Sequence, residues 1–119
     1  MAEKIYYVYV LRCLDNSLYT GITTDVKRRF DEHTKRRSSG EKYTRSKRAV
    51  SIEAVWSCLT RSEASKLEYA FKHLSKDKKE NIIVHPEIFN TLFFEKLDLS
   101  AYNYLKEYNG YTLKPPQVN

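Results

Sequence analysis

The chain has 119 residues, of which 41% are hydrophobic and 30% charged, with only three glycines and three prolines. This composition excludes collagen-like, low-complexity and wholly disordered classes, and the length corresponds to one globular domain. The formal net charge is +6, and the two cysteines, Cys13 and Cys58, are too few for a disulfide framework or a four-ligand zinc site, so we expect both to be reduced and buried.

The first predicted element is a β-hairpin over residues 5–22. Residues 5–13 are β-branched and aromatic, and both alternating faces are largely apolar, which is typical of a central strand covered on both sides. Residues 15–17 supply turn chemistry, and residues 18–22 form a second short strand. The apolar run that opens the hairpin is far shorter than the roughly 18 residues of a membrane span, and no small-residue cleavage site follows it. We therefore expect a soluble, cytoplasmic protein with no membrane partner.

A helix is predicted from residues 23–25 to about Arg37. Thr23-Thr24-Asp25 provides a hydroxyl N-cap with an acid in the first turn. Ser38-Ser39-Gly40 ends the helix, and a basic loop follows over residues 41–48.

This helix and loop carry most of the positive charge. Between Lys27 and Arg48 there are ten basic and three acidic residues, a local net charge of +7. Such a concentration favours a polyanionic partner, although a solvated basic face would have the same composition. An anionic membrane is disfavoured because the segment lacks a bulky apolar face. The candidate nucleic-acid contacts are Lys27, Arg28, Lys35, Arg36, Arg37, Lys42, Tyr43, Arg45, Lys47 and Arg48.

The second half of the chain begins with a third predicted strand, Val50 to Leu59. A capping box over residues 60–63 then starts a second long helix, which ends near Leu74. Residues 75–80 form a charged turn or short helix, and residues 86–89 and 97–108 are each candidates for further helices. The predicted order is β-β-α-β-α. This order indicates an α+β domain over residues 1–81 with a small sheet, followed by a mostly helical C-terminal extension of unknown role over residues 82–119.

Helical phase distinguishes two adjacent arginines. With Val26 and Phe30 facing the core, Arg29 and His33 lie about 80° and 40° from the buried direction, whereas Arg28 points to solvent. A cation and an imidazole at a core margin need partners or a role there. A packed Arg29 stem with its head in water, and a locally bonded His33, would satisfy the same phase.

Three further polar residues are candidates on weaker grounds. Glu68 lies on the shoulder of the apolar stripe of the second long helix, and phase alone does not single it out. Tyr9 and Tyr19 could meet on one surface of the hairpin, or serve as ordinary packing aromatics.

Taken together, these residues resemble the GIY-YIG endonuclease superfamily. The similarity is to its small stand-alone, single-domain branch, and also to the N-terminal nuclease domain of the excision-repair nuclease. It covers residues 5–81 and includes the stretches YTRSKR at 43–48 and RSEASKLEYAFKHLSKDKKE at 61–80. The ordered motif residues are Tyr7-Val8-Tyr9, Tyr19-Thr20-Gly21, Arg29, His33 and Glu68.

The resemblance implies a three-stranded antiparallel sheet flanked by helices, and cleavage of nucleic-acid phosphodiesters with one divalent ion, Mg²⁺ or Mn²⁺. Tyr9 and Tyr19 match the two motif tyrosines, and Arg29 matches the arginine that contacts the scissile phosphate. His33 matches a histidine present in part of the family, and Glu68 matches the metal-ligating glutamate. The sequence departs from the family pattern at Tyr7, where the family has glycine, and at Thr20, where it has isoleucine.

The residue types suit this chemistry. A guanidinium neutralises a phosphodiester with a planar fork of donors, and a hard divalent ion keeps most of its waters and needs only one or two carboxylates. A tyrosine acts as a general base at neutral pH only if its pKa, ordinarily about 10, is lowered. Either Tyr9 or Tyr19 could be that base, or could position the attacking water.

Two functional hypotheses follow from the sequence. The first is an endonuclease that acts on structured or damaged DNA, with DNA favoured over RNA and with a protein partner for targeting. The second is a non-catalytic nucleic-acid-binding module with a nuclease-like fold, because phosphate contacts give affinity without chemistry.

Overall fold

The computed structural model describes residues 4–35 and 47–112. They form an α+β fold in which an antiparallel sheet has the strand order β2-β1-β3-β4. The strands and helices are β1 (Tyr6–Cys13), β2 (Leu18–Thr23), α1 (Val26–Thr34), β3 (Ala49–Cys58), α2 (Arg61–Lys72), α3 (Lys76–Val84), α4 (Phe89–Phe93) and β4 (Asn103–Tyr104).

The predicted central strand is confirmed. β1 pairs with β2 on one side and with β3 on the other, and the side chains of Val8, Tyr9, Val10 and Leu11 are at most 1% exposed. Because successive side chains of a strand point to opposite faces, β1 contributes to two separate cores.

Each face of the sheet is covered by a different long helix. Val8 and Val10 face α2 and pack in one cluster with Leu67 and Phe71. Tyr9 and Leu11 face α1 and pack with Val26, Phe30 and other apolar side chains of a second cluster. β2 is an edge strand of the sheet. Its unpaired edge therefore lies between α1 on one face of the sheet and α2 on the other.

The N-cap residue of α2 agrees with the sequence prediction, and that of α1 differs from it. Thr60 caps α2 as predicted, its hydroxyl accepting from the amide of Glu63 at 3.1 Å. At α1 the predicted hydroxyl cap is wrong, since the cap is Asp25 itself, whose carboxylate accepts from the amide of Arg28 at 3.1 Å. Thr23 instead bonds the backbone of Asp25. A carboxylate is as good a cap as a hydroxyl, and here it occupies the position with extended backbone.

The C-terminal extension supplies a fourth strand, which corrects the prediction of three. β4 pairs antiparallel with β3, placing Tyr104 opposite Trp56. Residues 97–108 are therefore not one helix but two 3₁₀ turns on either side of this short strand. Tyr102 also donates to the backbone oxygen of Glu63 at 2.6 Å. The extension thus packs on the sheet and on α2, and α3 spans the predicted domain boundary after residue 81.

Two further sequence expectations can be compared with the described residues. No helix in residues 4–35 and 47–112 is long and apolar enough to cross a membrane. Cys13 and Cys58 are both buried and unbridged, and burial raises the pKa of the Cys58 thiol.

A part-buried ion cluster joins the sheet to α3. Arg12 of β1 donates through Nε to Glu53 at 3.0 Å and through Nη2 to Glu80 at 2.6 Å. The Arg12 guanidinium lowers the pKa of Glu80 from its ordinary value of 4.5 to about 2. The folded state therefore prefers the ionised carboxylate.

Replacing Glu80 with glutamine should destabilise the fold at neutral pH by about 1–2 kcal/mol, a value reduced for the partial exposure of the pair. Because the folded-state pKa is lowered, the contribution of Glu80 is complete above pH 4.5 and is lost as the pH falls through about 2. Urea denaturation at pH 7 and at pH 2.5 measures both effects. The difference in stability between wild type and variant should shrink at the lower pH, and Glu87→Gln, at an exposed site, serves as the control.

Candidate active site

The two motif tyrosines lie on the α1 face of the sheet. Tyr9 pairs with Gly21 and Leu11 pairs with Tyr19, so the tyrosines are diagonal neighbours on adjacent strands. Their ring centroids are 6.2 Å apart. Tyr9 is 1% exposed and Tyr19 is 40% exposed, so only Tyr19 of the pair presents its ring to solvent.

Gly21 provides the space that the Tyr9 ring occupies. A Cβ at this position would lie 2.5 Å from the Tyr9 hydroxyl oxygen and 2.7 Å from its Cζ. It would also lie 3.2 Å from Cε1 of Tyr19. The glycine therefore allows the Tyr9 ring to lie across the β2 backbone, a role that its presence in the Tyr19-Thr20-Gly21 motif did not reveal.

Replacing Gly21 with alanine should lower the free energy of unfolding by about 1–3 kcal/mol, because the new methyl group forces the buried Tyr9 ring out of place. Thermal and urea unfolding measure this. Thr20→Ala, a change on the opposite face of the same strand, provides a comparison that leaves the Tyr9 ring untouched. The double variant Gly21→Ala with Tyr9→Ala removes the clash, so unchanged destabilisation in that background would contradict the argument.

Helix α1 adds His33 and Arg29 to the tyrosines, as the helical phase predicts. His33 is 6% exposed, its Nε2 lies 3.5 Å from the Tyr9 hydroxyl, and its ring centroid is 4.7 Å from that of Tyr19. The Arg29 side chain is 37% exposed and that of Arg28 is 68% exposed. Arg29 donates from Nη1 to Glu32 at 2.7 Å.

Burial raises the pKa of Tyr9 to about 12, with a smaller contribution from the neighbouring Tyr19 phenol, and Arg29 only partly opposes this. Tyr9 is therefore a protonated hydrogen-bond donor at neutral pH, which does not meet the requirement of a lowered pKa for a tyrosine base. The pKa of Arg29 is raised by the Tyr9 hydroxyl and then by Glu32, so its guanidinium stays charged.

Glu68 belongs to the helix on the other side of the sheet. It lies on α2, its side chain is 26% exposed, and its Oε2 is 3.4 Å from Nζ of Lys72. Arg61 precedes it by seven residues, which places the two on nearly the same face of α2 about 10.5 Å apart along the axis. Arg61 and Arg29 line one cavity of about 290 Å³ at the end of β2. Arg61 therefore brings the first turn of α2 to the cavity that Arg29 lines, whereas Glu68 is not among the residues that line it.

The donor set fits one hard divalent ion with few protein ligands. Within residues 4–35 and 47–112, no three His, Cys, Asp or Glu side chains gather into a metal-sized cluster. A closed protein cage is therefore not formed there. Mg²⁺ is commonly held by one or two carboxylates with waters and substrate phosphate, and the partly exposed carboxylate of Glu68 suits that arrangement.

Half of the predicted nucleic-acid contacts can be placed. Lys27 lies over the Tyr111 ring at 5.7 Å, Lys35 pairs with Asp31 at 3.2 Å, and Lys47 pairs with Asp15 at 2.9 Å. The Nε of Arg48 is buried, and no hydrogen-bond partner is found for it in the described part of the chain. The remaining candidates, Arg36, Arg37, Lys42, Tyr43 and Arg45, lie outside the described residues.

Two further cavities differ in whether predicted catalytic residues line them. One, of about 340 Å³, is lined by Tyr19, His33 and Lys47, which places a cation beside the exposed tyrosine. The other, of about 560 Å³, lies along α2 beside Tyr69 and His73 and contains none of the predicted catalytic residues. Of the predicted catalytic residues, Tyr19 and His33 line the 340 Å³ cavity and Arg29 lines the 290 Å³ cavity, whereas Tyr9 and Glu68 line none of these three cavities.

The sequence matches the GIY-YIG catalytic domain over residues 5–81. This is well over half of the chain, and the protein therefore belongs to the GIY-YIG family, a family of nucleases.

Its relatives are small UPF0213 proteins. The UPF0213 protein FN1575 of Fusobacterium nucleatum is 48% identical over 84 residues, which cover 71% of this chain and 82% of that protein. The UPF0213 protein DP2720 of Desulfotalea psychrophila is 43% identical over 97 residues, which cover 81% and 87% of the two chains. The solution NMR structure of the UPF0213 protein BH0048 from Bacillus halodurans is 44% identical, with a TM-score of 0.44, and the match covers 67% of this chain and 83% of that one.

Proposed function

We propose that the protein is an endonuclease that hydrolyses phosphodiester bonds in structured or damaged duplex DNA. The reaction uses one Mg²⁺ or Mn²⁺ ion. The observation that supports this best is the convergence of Tyr9, Tyr19, Arg29 and His33 on one face at the edge strand β2. Structural packing alone does not require a buried histidine beside a buried phenol, with an arginine at their margin.

Arg29 is proposed to bind the scissile phosphate. It is charged at every relevant pH and lies at the rim of an open cavity. Its planar fork can hold two phosphate oxygens and oppose the charge that grows in the transition state. Glu32, which pairs with it at 2.7 Å, would keep the guanidinium in place for the phosphate.

The two tyrosines take different roles in this proposal. Tyr9, buried and protonated, donates a hydrogen bond and positions its neighbours. Tyr19 is the tyrosine that can reach a water molecule, with His33 against its ring and Lys47 lining the same cavity. We therefore favour Tyr19 as the residue that orients the attacking water, a choice that the sequence left open.

Glu68 is proposed to hold the metal ion. The ion, when bound, would supply a positive charge next to the leaving oxygen. Without the ion, Lys72 pairs with the carboxylate at 3.4 Å, so the ion competes with an i,i+4 ion pair that is partly exposed and weak.

The test is a strand-scission assay on supercoiled, branched, single-stranded and RNA substrates with Mg²⁺, with Mn²⁺ and with EDTA. Cutting that requires the divalent ion supports the proposal and identifies the substrate class. Binding of nucleic acid without cutting under every condition would instead favour the non-catalytic binding module. Failure to bind or cut any substrate would contradict both functions.

A further inference from the structure

A cleft at the C-terminal end of β2 lies between the first turns of α1 and α2. Its volume is about 290 Å³. The residues that line it come from both strands of the hairpin and from both helices. They are Tyr6, Ile22, Thr23, Thr24, Arg28, Arg29 and Arg61.

Three arginines line the cleft, and none of the residues that line it carries a carboxylate. Glu32 pairs with Arg29 at 2.7 Å and lies 3.9 Å from Arg28, so one negative charge is shared by two arginines. In residues 4–35 and 47–112, no carboxylate lies within 4 Å of the Arg61 guanidinium. Like charges brought together in this way repel one another unless an anion joins them.

Nearby acids are directed elsewhere. Asp25 accepts from the amide of Arg28 as the cap of α1. Glu63, in the first turn of α2, lies near Lys66 and accepts from the Tyr102 hydroxyl. Thr23 is engaged with the backbone of Asp25, whereas Thr24 is exposed at the cleft. The cleft therefore offers guanidinium and hydroxyl donors to an anion.

We propose that this cleft binds a second phosphate of the nucleic-acid backbone, held by Arg61 and Arg28, beside the scissile phosphate at Arg29. This inference rests on the proposed function and adds a statement about the substrate. The substrate is a polynucleotide strand, not a single nucleotide, and it follows the edge of β2. Arg61 and Glu68 are about 10.5 Å apart along one face of α2. Neighbouring phosphates of one DNA strand are separated by more than the axial rise of about 3.4 Å per nucleotide, so this span covers at most about three nucleotides from the cleaved bond.

Arg61 is the residue that this proposal adds to the site, and Arg61→Ala tests it. We expect the affinity for a short DNA duplex in EDTA to fall roughly five- to tenfold, and the slope of log affinity against log salt to decrease by about 1. Arg61→Lys should keep the salt slope and recover part of the affinity, because it keeps the charge but not the planar fork. Lys78→Ala, which removes an exposed charge on α3, is the matched control. Thermal unfolding verifies that every variant is folded.

A substrate scan locates the phosphate. Single neutral methylphosphonates are placed at successive positions on each side of the cleavage site, and binding is measured for wild type and Arg61→Ala. At one position within about three nucleotides of the cleavage site, the methylphosphonate should weaken wild-type binding by the same factor as Arg61→Ala does. The same substitution should have no further effect on Arg61→Ala.

The outcomes separate this proposal from the proposed function. If wild type cuts DNA while Arg61→Ala binds no more weakly than Lys78→Ala, the second phosphate site is wrong and the nuclease stands. If inorganic phosphate protects Arg61→Ala and wild type equally from unfolding and no methylphosphonate position depends on Arg61, the site is also wrong. If wild type neither binds nor cuts nucleic acid, both proposals fail.

Discussion

Replacing Glu68 with glutamine should reduce strand scission at least about a thousandfold while nucleic-acid affinity changes by no more than about twofold. Glutamine keeps the size of the side chain and removes the charge that would hold a divalent ion. Within the described part of the chain, Glu68 forms one ion pair, with Lys72 at 3.4 Å, and that pair is partly exposed. Its loss should cost less than about 1 kcal/mol of stability, so the loss of activity is not a loss of fold.

Single-turnover cleavage with excess protein measures this effect without a contribution from product release. Glu95→Gln, at an exposed position after α4, is the matched control and should cut like the wild type. The metal assignment has a second readout. Raising the Mn²⁺ concentration in tenfold steps should not restore cutting by Glu68→Gln. Full activity of Glu68→Gln would remove Glu68 from the site and leave the metal without its proposed ligand.

Replacing Arg29 with alanine should lower the cleavage rate about a hundred- to a thousandfold, because the scissile phosphate loses its charged donor. Arg29→Lys should lie between wild type and alanine, since an ammonium keeps the charge but cannot bind two oxygens in one plane. The change removes the 2.7 Å contact between Arg29 and Glu32. The Glu32 carboxylate is exposed enough for water to take the place of the guanidinium.

The adjacent arginine provides the comparison for this prediction. Arg28→Ala removes the same charge from the same turn of α1, but its side chain is 68% exposed against 37% for Arg29. We expect Arg28→Ala to weaken binding by less than about tenfold and to leave the cleavage rate of bound substrate nearly intact. Equal loss of the single-turnover rate in both variants would contradict a specific role for Arg29.

The difference between the arginines is the part of the site that the sequence predicts from physics. Val26 and Phe30 define the buried side of α1, and a rotation of 100° per residue then places Arg29 and His33 at its margin and Arg28 in water. Strand alternation in the same way allows Tyr9 and Tyr19 to share one surface. These residues are local neighbours, within one helix or one hairpin, so periodicity alone relates them.

Periodicity is insufficient where the arrangement depends on distant residues. The β4 pairing of Tyr104 with Trp56 joins positions 48 residues apart by sequence number, and two residues of strand leave almost no pattern in the sequence. Residues 97–108 are only a candidate helix by sequence, and edge pairing with β3 prevails in the structure. Similarly, the choice of Asp25 over a threonine as the cap of α1 depends on backbone angles that either side chain could satisfy.

By itself, the sequence determined the hairpin, the two long helices, the buried cysteines, the basic segment and the family to which the chain belongs. Only the tertiary structure decided that α1 and α2 cover opposite faces and that Arg29 and Arg61 share a cleft at the edge of β2. Only the structure, too, showed that burial raises the pKa of Tyr9 and so keeps its phenol protonated at neutral pH. The physical reason is that periodicity states which side of an element is buried, whereas a pKa or a shared cleft depends on which other elements bury it.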